Sequence, residues 1–183
     1  MKINNPIILE SNMLILKELR LNNVTKEYVG WLNDVEVNKY LESRFVTHNE
    51  RTVREFVENC AKSNLKYLFG IFIKSDMRHI GNIKLGPINT YHNYAEVGLM
   101  IGDKDSWGKG FASEAISMVT QFGLNQLDLD KLSAGCYESN IGSKKSFEKS
   151  GYKVEGLMRN QVNLLRGREN VWKVGCIKSD LKD

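Results

Sequence analysis

Proline is scarce, with Pro6 and Pro87 the only two in 183 residues. No Gly/Ser-rich linker, internal repeat or low-complexity stretch marks a boundary, so one unit is expected over 1–183, with a core from about residue 13 to about residue 178. Cysteine is scarce too. Cys60, Cys136 and Cys176 are odd in number, far apart and without C-x-x-C spacing, which argues against a disulfide framework or a zinc site and predicts reduced thiols. His48, His79 and His92 lack ligand spacing, so no metal is expected. No apolar run approaches the roughly 20 residues of a membrane helix. The stretch from Met1 to Glu10 is too short and polar for a secretory signal, and a cytoplasmic address is expected. Charge of one sign is never concentrated: 26 Lys and Arg against 22 Asp and Glu leave a net +4 spread along the chain, which argues against nucleic-acid and membrane partners.

Apolar residues make up 42% and charged residues 26%, a balance that permits a packed core covering roughly two-thirds of the unfolded surface. Met13–Leu19 reads as a strand, Val24–Tyr40 as two short helices and Asn49–Ala61 as a third. Tyr67–Lys74, His79–Leu85 and Tyr94–Ile101 read as an antiparallel meander. Ala112, Ala115, Ile116, Val119 and Phe122 keep helical spacing and predict the clearest helix of the chain. Leu132, Ala134 and Cys136 alternate as a strand, Ile141–Ser150 is a short helix ended by Gly151, and strands near Tyr152–Leu165 and Glu169–Ile177 close the chain around a turn at Arg166-Gly167-Arg168. Strand, helix, strand in sequence requires parallel neighbours, so the fold class is α/β with a mixed sheet of about seven strands.

Between the last meander strand and the clearest helix lies Met100-Ile-Gly-Asp-Lys-Asp-Ser-Trp-Gly-Lys-Gly-Phe-Ala-Ser-Glu-Ala115. Gly108 and Gly110 let successive backbone N–H groups aim at one point, and the helix N-terminus adds partial positive charge, a combination suited to a pyrophosphate. The spacing does not match a P-loop, and Gly108-Lys-Gly-Phe-Ala-Ser113 does not complete a dinucleotide fingerprint. An ordinary surface turn is the bland alternative.

Trp107-Gly-Lys-Gly-Phe-Ala-Ser-Glu-Ala115 resembles the acetyl-coenzyme A loop of the GNAT superfamily of N-acetyltransferases, in the version seen in its ribosomal-protein N-terminal acetyltransferase-like (RimJ/RimL-type) branch. Gly110 and Ala112 match the family pattern, while Trp107 stands where Arg or Gln is usual. Ala95–Ile101 resembles the family's central strand, Glu138–Tyr152 its second coenzyme A segment, and Tyr152–Gly156 the start of its paired-strand end. The resemblance implies a GNAT-like fold splayed between the fourth and fifth strands, with the pantetheine arm in the gap against the backbone of Met100 and Ile101. It implies a cofactor contact from Trp107, pyrophosphate contacts from Gly108, Lys109, Gly110, Phe111, Ala112 and Ser113, and a pantetheine contact from Asn140, which is equally a helix N-cap. Lys109 is equally a solvated loop lysine.

Acetyl transfer to an amine needs a neutral nucleophile and a proton for the departing thiolate. Glu96, a carboxylate in an apolar strand, is the candidate base, with a structural ion pair as the competing reading. The position of the family's acid tyrosine holds Phe147, and the resemblance offers Ser143 instead, a residue that also suits helix capping. Trp31–Phe45 sits where the family builds its acceptor wall and resembles the W-L-N-D-x-E-V version of relatives acting on amino-sugar nucleotides. Trp31, Tyr40 and Phe45 are the candidate rings for a sugar or base and Arg44 the candidate for an acidic group, against a core role for the aromatics. The expected reaction moves acetyl from acetyl-CoA to a primary amine of a small molecule, preferably a nucleotide-linked amino sugar. The alternatives are a protein N-terminus, a polyamine or an aminoglycoside, or a coenzyme A-binding sensor without turnover. Family members often dimerise through terminal strands, so a homodimer is among the implied arrangements.

Overall fold

A computed structural model describes residues 6–164 and 167–181. Among the described residues one sheet has eight strands: β1 (Ile8–Glu10), β2 (Leu14–Glu18), β3 (Tyr67–Ile73), β4 (His79–Leu85), β5 (Tyr94–Ile101), β6 (Lys131–Tyr137), β7 (Lys153–Leu164) and β8 (Gly167–Ile177), in the order β1-β2-β3-β4-β5-β6-β8-β7. Neighbours are antiparallel except β5 and β6. This is the α/β architecture read from the sequence, with one strand more. β1 escapes the periodicity reading because three residues at a sheet edge carry too little pattern.

Among the described residues four α-helices flank the sheet: α1 (Lys26–Asn33), α2 (Glu50–Lys62), α3 (Phe111–Gln121) and α4 (Ile141–Lys149). Their starts are written in the sequence. Thr25 accepts from the Tyr28 N–H at 3.2 Å, Asn49 from the Thr52 N–H at 3.0 Å, and Asn140 from the Ser143 N–H at 3.2 Å. Gly151 ends α4 in the left-handed region, with φ 92°. The second short helix expected before Tyr40 is absent: residues 34–41 form turns, and Val35 points to solvent because no sheet face lies opposite it. Of the turn expected at Arg166-Gly167-Arg168, Arg166 lies outside the described residues, as does Leu165, and Gly167 and Arg168 already belong to β8.

The sheet separates two apolar clusters. Ala115, Ile116 and Val119 of α3, with Phe122 just after it, bury against Ile83, Leu85 and Val97 on one face. On the other, Tyr28, Val53 and Val57 of α1 and α2 cover Leu68 and Met100. The strict alternation of β5 follows: Ala95, Val97 and Leu99 face α3, whereas Glu96, Gly98 and Met100 face α1 and α2.

Candidate active site

The sheet opens in its middle. β5 pairs with β6 at three positions only, Tyr94 with Lys131, Ala95 with Leu132 and Glu96 with Ser133. Beyond them β6 follows β8 to Tyr137 while β5 follows β4 to Ile101, and a gap widens between the two. Backbone polar groups of alternate residues point to alternate edges of a strand. The Gly86 N–H donates to the Glu96 carbonyl at 2.8 Å and the Gly102 N–H to the Ile80 carbonyl at 2.8 Å, so the even-numbered residues of β5 bond to β4. Val97, Leu99 and Ile101 therefore present their backbone to the gap. Met100 does not: its backbone groups belong to the β4 ladder and its side chain to the core under α1 and α2. Of the two residues expected to face the gap, Ile101 does, and its carbonyl accepts from the Trp107 indole N–H at 2.8 Å.

The gap runs into a cavity of about 990 Å³ that extends from the start of α3 and α4 to the turns after α1. Gly108 and Gly110 sit at its rim with φ of 74° and 85°, and a Cβ built at either would meet nothing within 4 Å. The first helical bond of α3 runs from Glu114 to Gly110, which leaves the amides of Phe111, Ala112 and Ser113 without intrahelical acceptors. These amides and the helix end make an anion cradle. Lys109 is exposed and stays outside the cavity lining. The cations beside the cradle come instead from α4, whose Lys145 and Lys149 stand one turn apart on the face that also carries Gly142 and Ser146.

Asn140 and Ser143 line the cavity where α4 begins. The Ser143 hydroxyl lies 3.6 Å from the Cys136 sulfur, whose thiol pKa is pushed up by burial. Phe147 is buried edge-on to Tyr152 at 4.9 Å and has no proton to give. Glu96 shares the face of Gly98 and Met100 but sits at the closed end of the gap, exposed, 3.5 Å from Lys173 and outside the cavity lining.

Of the residues expected to contact the acceptor, Trp31, Arg44 and Phe45 do not line the cavity. Trp31 packs edge-on to His79 at 5.1 Å and against Gly102, where a Cβ would collide with the indole. Arg44 is consumed by the fold: it donates to the carbonyls of Leu41 and Asn163 at 2.7 Å each and to the Tyr137 hydroxyl at 2.8 Å. Phe45 is 65% exposed and lies under the Arg44 guanidinium at 4.1 Å. Tyr40, the remaining candidate, does line the cavity, together with Leu41, Glu42 and Ser43. Sequence reasoning also missed Tyr137, Lys84 and Asn82; the signal for the last is an amide inside the apolar run His79–Leu85.

The model of the acetyltransferase (GNAT) domain family matches residues 14–153. The chain belongs to the GNAT family. It is an acetyl-CoA-dependent acyltransferase of the N-acetyltransferase class. Probable N-acetyltransferase YjcK of Bacillus subtilis is 32% identical over 133 residues, covering 70% of this chain and 68% of that protein. Two solved structures share the fold. Spermidine N-acetyltransferase from Vibrio cholerae in complex with CoA and spermine gives a TM-score of 0.83 at 20% identity, over 93% of this chain and 98% of that one. RimL, a ribosomal L7/L12 alpha-N-protein acetyltransferase in complex with coenzyme A, gives 0.82 at 16%, over the same shares. The splayed sheet and the cradle of this GNAT enzyme suit a long ligand with a diphosphate at one end. Among its described residues no helix is long and apolar enough to cross a membrane.

Proposed function

We propose that this GNAT enzyme, of the RimJ/RimL-type branch, acetylates a primary amine of a small molecule in the cytoplasm, with a nucleotide-linked amino sugar as the preferred acceptor. The observation that carries the reading is the gap beside β5, which leaves the Val97 carbonyl and the Leu99 backbone without a strand partner next to an amide cradle. Gly108, Gly110 and the amides of Phe111, Ala112 and Ser113 would hold the diphosphate of acetyl-CoA, with Lys145 and Lys149 as charged partners. Val97, Leu99, Ile101 and Asn140 would hold its amide-rich arm. The bound co-substrate supplies an activated acetyl group.

The chain's own residues then have two proton tasks. Ser143 carries a hydroxyl on the cavity wall beside Cys136 and delivers the proton to the leaving sulfur in place of a tyrosine at Phe147. Glu96 lies about 7 Å along the strand from Gly98, one side-chain repeat outside the lining, and takes the ammonium proton through solvent. The acceptor end argues against a polyammonium ligand. Its carboxylates already have cationic or hydroxyl partners, Glu36 with Lys104 and Glu42 with Tyr137, while Lys39 and Lys84 add positive charge.

The test is thiol release from acetyl-CoA against nucleotide-linked amino sugars, spermidine, an aminoglycoside and peptides with free N-termini. The highest kcat/KM is expected for the amino-sugar nucleotides. Preference for spermidine refutes the acceptor assignment, and coenzyme A binding without turnover on any amine refutes catalysis.

A further inference from the structure

The side-chain nitrogen of Asn82 is buried on the cavity wall with no hydrogen-bond partner among the described residues, and the residue is 6% exposed. Its orientation is fixed by a neighbour. His79 Nε2 lies 2.9 Å from the Gly81 carbonyl and 3.0 Å from Asn82 Oδ1. A carbonyl only accepts, so Nε2 carries the proton, and the group facing it from Asn82 must be the amide oxygen. The NH2 group is thereby turned away from His79. The imidazole is itself clamped, stacked on Phe72 at 4.7 Å and met edge-on by Trp31 at 5.1 Å and Tyr28 at 6.1 Å. Burial lowers its pKa and keeps it neutral near pH 7.

A buried donor without a partner is costly, and in a cavity wall a ligand oxygen removes the cost. A polyammonium chain carries only donors and cannot do so. Lys84 follows two residues later on the same face and lines the same wall, adding a second donor and a charge that repels such a chain. We propose that Asn82 determines acceptor specificity: its NH2 group donates to an oxygen on the carbon skeleton of the amine, so that amino alcohols and amino sugars are taken in preference to polyamines. His79 is the positioning residue, and through it Trp31 acts on the acceptor site without touching its ligand. The inference rests on the acetyl-transfer reading of the cavity given above.

The test follows the side-chain NH2 resonances of Asn82 in the 15N-labelled full chain, assigned by their loss in Asn82→Leu. The probes are coenzyme A alone, then D-glucosamine or spermidine in its presence. The Asn82 resonances are expected to move with glucosamine, and to stay in place with coenzyme A alone and with spermidine. Movement with coenzyme A alone, equal movement with spermidine, or none with glucosamine overturns the proposal. Failure of the underlying reading is visible separately, as unmoved backbone amides at Gly108 and Gly110 when coenzyme A is added. In turnover, Asn82→Leu is expected to raise the glucosamine KM by about 10- to 100-fold with the acetyl-CoA KM unchanged, and Asn82→Ser, which keeps a donor, to recover part of the loss. An acetyl-CoA KM that rises in parallel overturns the assignment.

Discussion

Placing a methyl group at Gly110 separates two effects that usually travel together. The residue has φ 85° and ψ −7° at the N-cap of α3, a conformation that costs an L-residue about 1–2 kcal/mol. A Cβ there meets no protein atom within 4 Å, so no clash adds to that strain. In a chain of this size each kcal/mol moves Tm by about 2–4 °C, and Gly110→Ala is expected to lose about 2–8 °C. The strain is present in the free and the bound protein and cancels from the binding equilibrium. Any change in Kd for coenzyme A therefore reports the methyl group occupying ligand space. Losing one charge-assisted backbone contact is worth about 1.5–3 kcal/mol, or a Kd weaker by about 10- to 150-fold, measurable by titration calorimetry. Gly167→Ala is the control, because Gly167 also has positive φ (119°) and open space but lies outside the cavity lining. It should lower Tm and leave Kd alone. A Gly110→Ala protein that binds coenzyme A within twofold of the unaltered chain refutes the cradle.

Three further outcomes are expected. Ser143→Ala, which leaves the backbone cap to Asn140 in place, should lower kcat by about 100-fold with the coenzyme A Kd unchanged, as single-turnover kinetics would register. Glu96→Gln should depress kcat/KM most at the acid end of the pH profile; an unchanged profile removes Glu96 from proton transfer. Burial holds the His79 pKa below its ordinary 6.5, so on acidification the unfolded chain takes up this proton first. Its contribution to stability is full above pH 6.5 and is lost as pH falls through that value toward the folded pKa. Tm should decline from pH 7 to 5 with a component that His79→Phe abolishes, and a decline of the same slope in the variant excludes His79 as its source.

Local pattern carried a large part of the fold. The repeat of Ala115, Ile116, Val119 and Phe122 needs no tertiary knowledge to place α3, and the bounds of β4 and β5 fall where alternation and glycine put them. The left-handed turn before α3 was legible for the same reason, since Gly108 and Gly110 are conformational requirements written in residue type. The acceptor wall was not. Trp31 reads as a ring for a ligand, yet its partners, His79 and Gly102, come from distant segments and fix it as support. Arg44 reads as a charge for an anion, yet Tyr137 and the Asn163 carbonyl use its donors. At Met100, which lines the cavity, the hidden quantity is phase: which backbone groups of β5 face the gap depends on register with β4, and a one-residue slip exchanges the two edges.

The three-pair seam between β5 and β6 makes cohesion of the sheet partly a property of its guest. Until something lies in the cleft, the amide of Leu99 has water for company, and the halves carrying β1–β5 and β6–β8 are joined along the strands only at their narrow end. A molecule threading the cleft behaves as a ninth ribbon that closes the wound. Proton exchange at this amide is thus a gauge of occupancy that needs neither an acceptor nor a turnover, slowing as soon as the visitor arrives.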